Sequence, residues 1–138
     1  NIRLRNSEDR KLIALLESDL PIFDIAFSPD GRWLAAAQHL GTITLWDLTT
    51  PSQPVSHDLQ VPESKSHLWR LAFSPDSSLL ASGSSDGSLI LWDILSNQAI
   101  DSHQLPSAVT ALSFSKDGKG ITSGGLDAGV WVFPVDPK

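Results

Sequence analysis

The 138-residue sequence contains no cysteine, no methionine and no tyrosine. Without cysteine, neither a disulfide scaffold nor a thiolate zinc site can be built. No run approaches the roughly 18 apolar residues that a membrane-crossing helix needs. No basic stretch leading into an apolar one opens the chain, so no signal peptide is expected. The first residue is Asn1 rather than Met, so sequence upstream is expected. Charge is scarce as well. Asp, Glu, Lys and Arg make up 19% of residues, against roughly 25% in ordinary globular proteins, which excludes a disordered polyelectrolyte. The formal charge is −6, and no cluster of Lys and Arg is present to follow a phosphate backbone.

Tryptophan and phenylalanine, five of each, are what the chain does have, and they recur in register. Ala26-Phe27-Ser28-Pro29-Asp30 is repeated at an offset of 46 as Ala72-Phe73-Ser74-Pro75-Asp76. In the same register Leu34-Ala35 falls on Leu80-Ala81, and Leu45-Trp46-Asp47 on Leu91-Trp92-Asp93. A third copy lies 41 residues further on, with Ser113-Phe114-Ser115-Lys116-Asp117 on Ala72 to Asp76 and Phe133 in the slot of Trp92. A fainter copy precedes them: Ile2, Leu4 and Asn6 stand where Ile43, Leu45 and Asp47 do.

Within each copy the hydrophobic period is two, and Asp30-Gly31, Asp86-Gly87 and Asp117-Gly118 separate the runs, a pattern of short strands joined by tight turns. The predicted strands are 22–27, 33–38, 42–46 and 55–60 in the first copy. They are 68–73, 79–84, 88–92 and 99–105 in the second, and 109–114, 121–124 and 130–133 in the third. Ile2–Arg5 and Lys11–Leu16 are read as the end of a preceding copy.

Chemistry-bearing patterns are sparse. Gly83-Ser84-Ser85-Asp86-Gly87 matches Gly-x-Ser-x-Gly, but it falls in a strand-to-strand turn with no helix to form a nucleophile elbow. His39, His57, His67 and His103 show no i, i+2 or i, i+4 spacing, so no metal pair is read from them. Gly118-Lys119-Gly120 lacks phosphate-loop spacing. Asp30, Asp76 and Asp117 occupy one turn slot and are read as turn caps. No catalytic residue, metal ligand or cofactor is assigned, and the chain is read as non-enzymatic.

The repeats resemble the WD40 repeat. The resemblance rests on Phe27-Ser28-Pro29-Asp30-Gly31, Leu34-Ala35, Trp46-Asp47, Phe73-Ser74-Pro75-Asp76, Leu80-Ala81-Ser82-Gly83-Ser84, Asp86-Gly87 and Trp92-Asp93. It covers nearly the whole chain. Phe133-Pro134 departs from it where Trp-Asp would stand. The resemblance implies an all-β fold: a partial β-propeller of about three four-stranded antiparallel blades. Three blades close no ring, so the expectation is a fragment of a larger ring or half of a dimeric one. The blades are placed at 17–61, 62–105 and 106–138, the last incomplete, with 1–16 ending a preceding blade.

The family braces its blades with a hydrogen-bonded set of His, Ser or Thr, Asp and Trp. Carried over by position, the bracing residues are Trp46, Asp47, Ser82, Asp86, Trp92, Asp93, Ser123, Asp127 and Phe133. Ser64, Ser18 and Leu105 stand in the His slots, and Ala36 and Leu40 in the Ser and Asp slots of the first blade, so no blade holds the full set. Trp33, Trp69 and Trp131 fall outside the repeat slots, with Trp69 read as lining the channel or packing between blades. Partner-facing loop positions are Pro21, His67 and Ala108 before the innermost strands, and His39, Ser85 and Leu126 before the turn Asp.

The resemblance implies a cytoplasmic, non-catalytic scaffold that binds a protein or peptide, or upstream domains of its own chain. Neither nucleic acid nor membrane is expected as a partner. The alternative is a sensor or regulatory segment of a multidomain signalling ATPase, protease or kinase whose catalytic domain lies elsewhere. The open face of the third blade is expected to uncover Leu112, Phe114, Ile121, Val130 and Val132. Self-association, or Lys11–Leu16 closing the third blade from across a ring, would cover them.

Overall fold

The computed structural model describes residues 1–61 and 66–136, with backbone alone at Gln60, Leu68 and Trp69. Thirteen strands account for nearly all regular structure among these residues. The first sheet pairs β1 (Ile2–Arg5) with β2 (Leu12–Leu16). The second runs β3 (Ile22–Phe27), β4 (Trp33–Gln38), β5 (Thr42–Asp47) and β6 (Val55–Gln60), in that spatial order. The third repeats it with β7 (Leu68–Phe73), β8 (Leu79–Ser84), β9 (Ser88–Asp93) and β10 (Gln98–Gln104). The last holds β11 (Val109–Phe114), β12 (Gly120–Gly125) and β13 (Val130–Pro134). Every pairing is antiparallel between chain neighbours, as in a meander.

The turn between the first two strands of each blade is the same object three times. Ser28 Oγ donates to Asp30 and accepts from the Trp33 amide at 2.8 Å, while the Arg32 amide donates to Asp30 at 3.0 Å. Ser74, Asp76, Ser78 and Leu79 repeat these bonds, as do Ser115, Asp117, Lys119 and Gly120. The residue after each turn Asp has positive φ: Gly31 at 74°, Ser77 at 63° and Gly118 at 72°. Glycine reaches this region freely, and Ser77 occupies it against its usual preference.

Period two sorts the apolar side chains between neighbours. In β4 and β5, Leu34, Ala36 and Trp46 face the first sheet and join Ala14 and Leu16 in one core. The alternate residues Trp33, Ala35, Ala37, Ile43 and Leu45 face the third sheet and pack on Leu71, Leu80, Ile90, Trp92 and Ile94. Ala81, Leu89 and Leu91 turn the other way and meet Val109, Ile121 and Val135 of the last sheet. Four sheets are thus held by three separate cores. The sheets in the middle read as continuous apolar runs because both of their faces are covered.

One sequence expectation needs correction. Leu112, Phe114 and Ile121 are not on the open face of the last sheet: Ile121 is 2% exposed, and all three belong to the core shared with the third sheet. Their cross-strand register puts Phe114 and Phe133 beside Ile121, and Leu112 beside Ser123, on that covered side. The open side carries Val130 and Val132, at 72% and 69% exposure. A second pair of uncovered apolar strand residues lies at the opposite end. Ile25 and Phe27 stand exposed beside Leu34 and Ala36 on the side where the first sheet supplies two strands rather than four. Lys11–Leu16, one of the covers offered for the last sheet, supplies β2 (Leu12–Leu16) and pairs with β1, the place read for it at the end of a preceding copy.

Candidate functional site

The bracing positions differ in chemistry from blade to blade. In the third sheet Trp92 Nε1 donates to Ser82 Oγ at 2.9 Å, with both residues buried. Asp86, in the following turn, accepts from Ser84 Oγ, from Ser66 Oγ at 2.6 Å and from the Ser88 amide at 2.9 Å. Burial pushes the Asp86 carboxyl up, but the Ser66, Ser84 and Ser88 hydrogen bonds outweigh it and hold it far below the usual carboxylate range. Ser64, in the His slot, lies outside the described residues, as does the Trp69 side chain.

In the second sheet Ala36 offers no hydroxyl to Trp46. Strength lies at Asp47 instead, which takes Arg32 Nη2 at 2.8 Å and Nε at 3.2 Å. The guanidinium beside it, with Thr49, lowers the Asp47 carboxyl to about 2. The same guanidinium lies 4.7 Å from the centre of the Trp33 ring. Asp93, the equivalent of Asp47, accepts from the Ser96 amide at 2.7 Å and has no ion pair among the described residues.

In the last sheet Phe133 stands opposite Ile121, as Trp92 stands opposite Leu80. Phenylalanine has no N–H, and Ser123 Oγ is buried with no hydrogen-bond partner. Asp127 accepts from the Gly129 amide at 3.0 Å. Phe133 instead stacks on His103 of β10, with ring centres 4.3 Å apart.

The loop positions divide into two groups. Pro21, His39, His67 and Ser85 are brought together at the end of the blades where β3 and β7 begin. The His39 amide donates to the Pro21 carbonyl at 3.2 Å, and the Ser85 amide to the His67 carbonyl at 2.9 Å. The Ser85 hydroxyl accepts from the His67 amide at 3.2 Å, so it is engaged in a turn rather than offered as a nucleophile. The imidazoles of His39 and His67 meet across the boundary between the two blades, with centres 4.3 Å apart. Phe23 joins them, 5.3 Å from His67 and 6.4 Å from His39. His67 Nδ1 is buried without a partner. Leu40 stands next to His39 at 48% exposure with φ 61°. Ala108 is buried and Leu126 is 71% exposed, and neither joins this group.

The contact between His39 and His67 is made between blades and leaves no spacing signal in the sequence. Phe23 was missed for the same reason.

The family model described as "WD domain, G-beta repeat" matches three stretches, 10–47, 57–93 and 96–133. The chain belongs to the WD40 repeat family. Its WD40 repeats are 50% identical over 40 residues to the protein LST8 homolog of Drosophila melanogaster, over 29% of this chain and 13% of that protein. The crystal structure of the RRP9 WD40 repeats superposes with a TM-score of 0.78 at 25% identity, covering 88% of this chain and 37% of that one. The Cps50 (Swd1) β-propeller domain of Myceliophteria thermophila superposes with a TM-score of 0.81 at 21% identity, covering 96% of this chain and 44% of that one. This chain is therefore a partial WD40 propeller, spanning less than half the length of these WD40 relatives.

Proposed function

We propose that the chain is a non-catalytic interaction scaffold: a propeller segment that presents the loop face around His39 and His67 to a protein or peptide. The carrying observation is the Phe23–His39–His67 cluster, which two blades assemble at one end of their strands. Phe23 lies on β3 and the two imidazoles on the adjoining loops, and side chains clustered in one packed patch are the usual makings of an interface centre. Blade limits of 17–61, 62–105 and 106–138 fit this reading, as do bracing roles for the Trp, Ser and Asp positions above. Further blades of a longer chain, or a second copy, cover the faces at Ile25, Phe27, Val130 and Val132. The cytoplasm is the expected setting. A net charge of −6 opposes association with nucleic acid or an anionic membrane.

The test is affinity purification of the full-length protein from its native cells, compared with Phe23→Ala and His67→Ala variants. A partner retained by the wild type and lost from both variants, with melting temperatures unchanged, supports the loop face. Identical recovery from all three overturns it. Tight, salt-sensitive DNA binding by the chain overturns the scaffold reading itself.

A further inference from the structure

The clefts on the two sides of the third sheet are built from equivalent repeat positions, yet one is filled and the other open. At the strand ends opposite His39 and His67, the cleft between the second and third sheets is closed by Trp33, 7% exposed, with Arg32 over its ring and paired to Asp47. The two turns also touch there, the Asp30 amide donating to Ser77 Oγ at 3.1 Å. One repeat later every element of this plug is smaller. Leu79 replaces Trp33, Ser78 replaces Arg32, and Gly118, in the place of Ser77, has no hydroxyl to reach the neighbouring turn.

The result is a groove of about 550 Å³ between the third and last sheets. Leu79, Ile100 and Val135 line its apolar part. Around it stand Asp76, Asp93, Asp117 and Asp136, with Lys119 the one cation among the described lining residues. Hydrogen bonds from Ser74, Ser96 and Ser115 keep the first three carboxyls below their ordinary range, so they carry negative charge at neutral pH. Asp93, whose equivalent Asp47 holds Arg32, has no cation paired to it among the described residues.

We propose that this groove is a second docking site, for a partner segment that presents Trp or another large ring next to Arg. The ring takes the volume that Trp33 fills in the neighbouring cleft, and the guanidinium pairs with Asp93 as Arg32 does with Asp47. The apolar floor and carboxylate rim match such a segment in shape and in sign. The site is separate from the loop face and stands or falls independently of it.

The probe is a fluorescein-labelled peptide, Ser-Gly-Arg-Trp-Leu-Ser, titrated into the full-length protein and followed by anisotropy. Saturable binding is expected below about 1 mM, the weak end of specific affinity. Leu79→Trp, which fills the groove from within, should weaken it at least tenfold. Ile100→Arg, at an exposed outer-strand position, should do the same without touching the core. Asp93→Asn should weaken the Arg peptide at least fivefold while leaving a Gln-for-Arg peptide unchanged. Phe23→Ala, at the other end of the strands, should bind as the wild type does. The proposal is overturned by absence of binding, whether because the groove is unsuited or because the protein's own residues beyond Lys138 fill it. It is equally overturned if Leu79→Trp and Ile100→Arg bind like the wild type, or if Phe23→Ala abolishes binding.

Discussion

Ser82 and Ser123 occupy one repeat slot, are equally buried at 1% exposure, and differ in a single respect. Ser82 Oγ receives the Trp92 N–H, and Ser123 Oγ receives nothing. Ser82→Ala leaves an indole N–H buried and unpaired, which costs about 1–3 kcal/mol. Ser123→Ala removes a hydroxyl that is already unpaired, so it is neutral or stabilises by up to about 1 kcal/mol. At about 4 °C of melting temperature per kcal/mol for a chain of this size, Ser82→Ala lowers the midpoint by about 4–12 °C and Ser123→Ala leaves it or raises it. Trp92→Phe provides the control. In the Ser82→Ala background it costs about 1 kcal/mol less than in the wild type, because the interaction it removes is already gone. Calorimetry or circular dichroism on the four variants reads this out. Equal losses from Ser82→Ala and Ser123→Ala would refute the reasoning, since depth of burial rather than hydrogen bonding would then set the cost.

Three further outcomes are expected. Asp86→Ala destabilises more than Leu40→Asn in thermal melts, because Asp86 ties Ser66, Ser84 and Ser88 together, whereas Asn tolerates the positive φ of residue 40 better than Leu does. Stability falls as acid is added. Asp47 has a folded-state pKa of about 2 and Asp86 lies lower still, so their contribution is complete above about pH 4 and is lost as pH drops through the folded values. Asp47→Asn should flatten the urea midpoint between about pH 4 and pH 2. Gly83→Ala places a Cβ 2.2 Å from Val109 Cγ1 and costs about 1–3 kcal/mol by overpacking. Gly124→Ala, the same slot one repeat on, meets Ala111 at an ordinary 3.5 Å and is tolerated in urea titrations of the 138-residue chain.

The strands were legible because turn residues and period two mark them directly. β1, β3, β4, β6, β7, β8 and β11 begin and end where the pattern placed them, and the remaining ends that differ do so by one residue. The slot of Phe133 was legible from repeat register alone, and the cross-strand pair with Ile121 occupies it. Which face of a strand looks at which neighbour was not legible. Leu112 and Phe114 are apolar on a strand whose two sides both adjoin other sheets in a propeller, and alternation cannot say which side is covered. The loop cluster was half legible. Register named His39 and His67, but their contact with Phe23 depends on how two blades lean together. The groove was invisible for a different reason, since it arises from residues that are small where their counterparts are large.

The three Ser–Asp turns carry a burden that the cores cannot. In a sheet with one wet face, slipping a strand by one residue throws its apolar side chains into water, and the error corrects itself. β4, β5, β8 and β9 have no wet face to enforce this, because nearly every residue on both sides is buried. A slipped strand would exchange one dry neighbour for another, so exposure to water does not penalise it. What it would lose is the hydroxyl of Ser28, Ser74 or Ser115, each of which accepts the amide of the residue five places on. That amide belongs to a fixed position at or next to the start of the following strand, so each serine counts residues for the hairpin it opens. Errors of alignment during folding are therefore to be sought after serine substitutions in these turns, in refolding yield more than in the melting point of molecules that folded correctly.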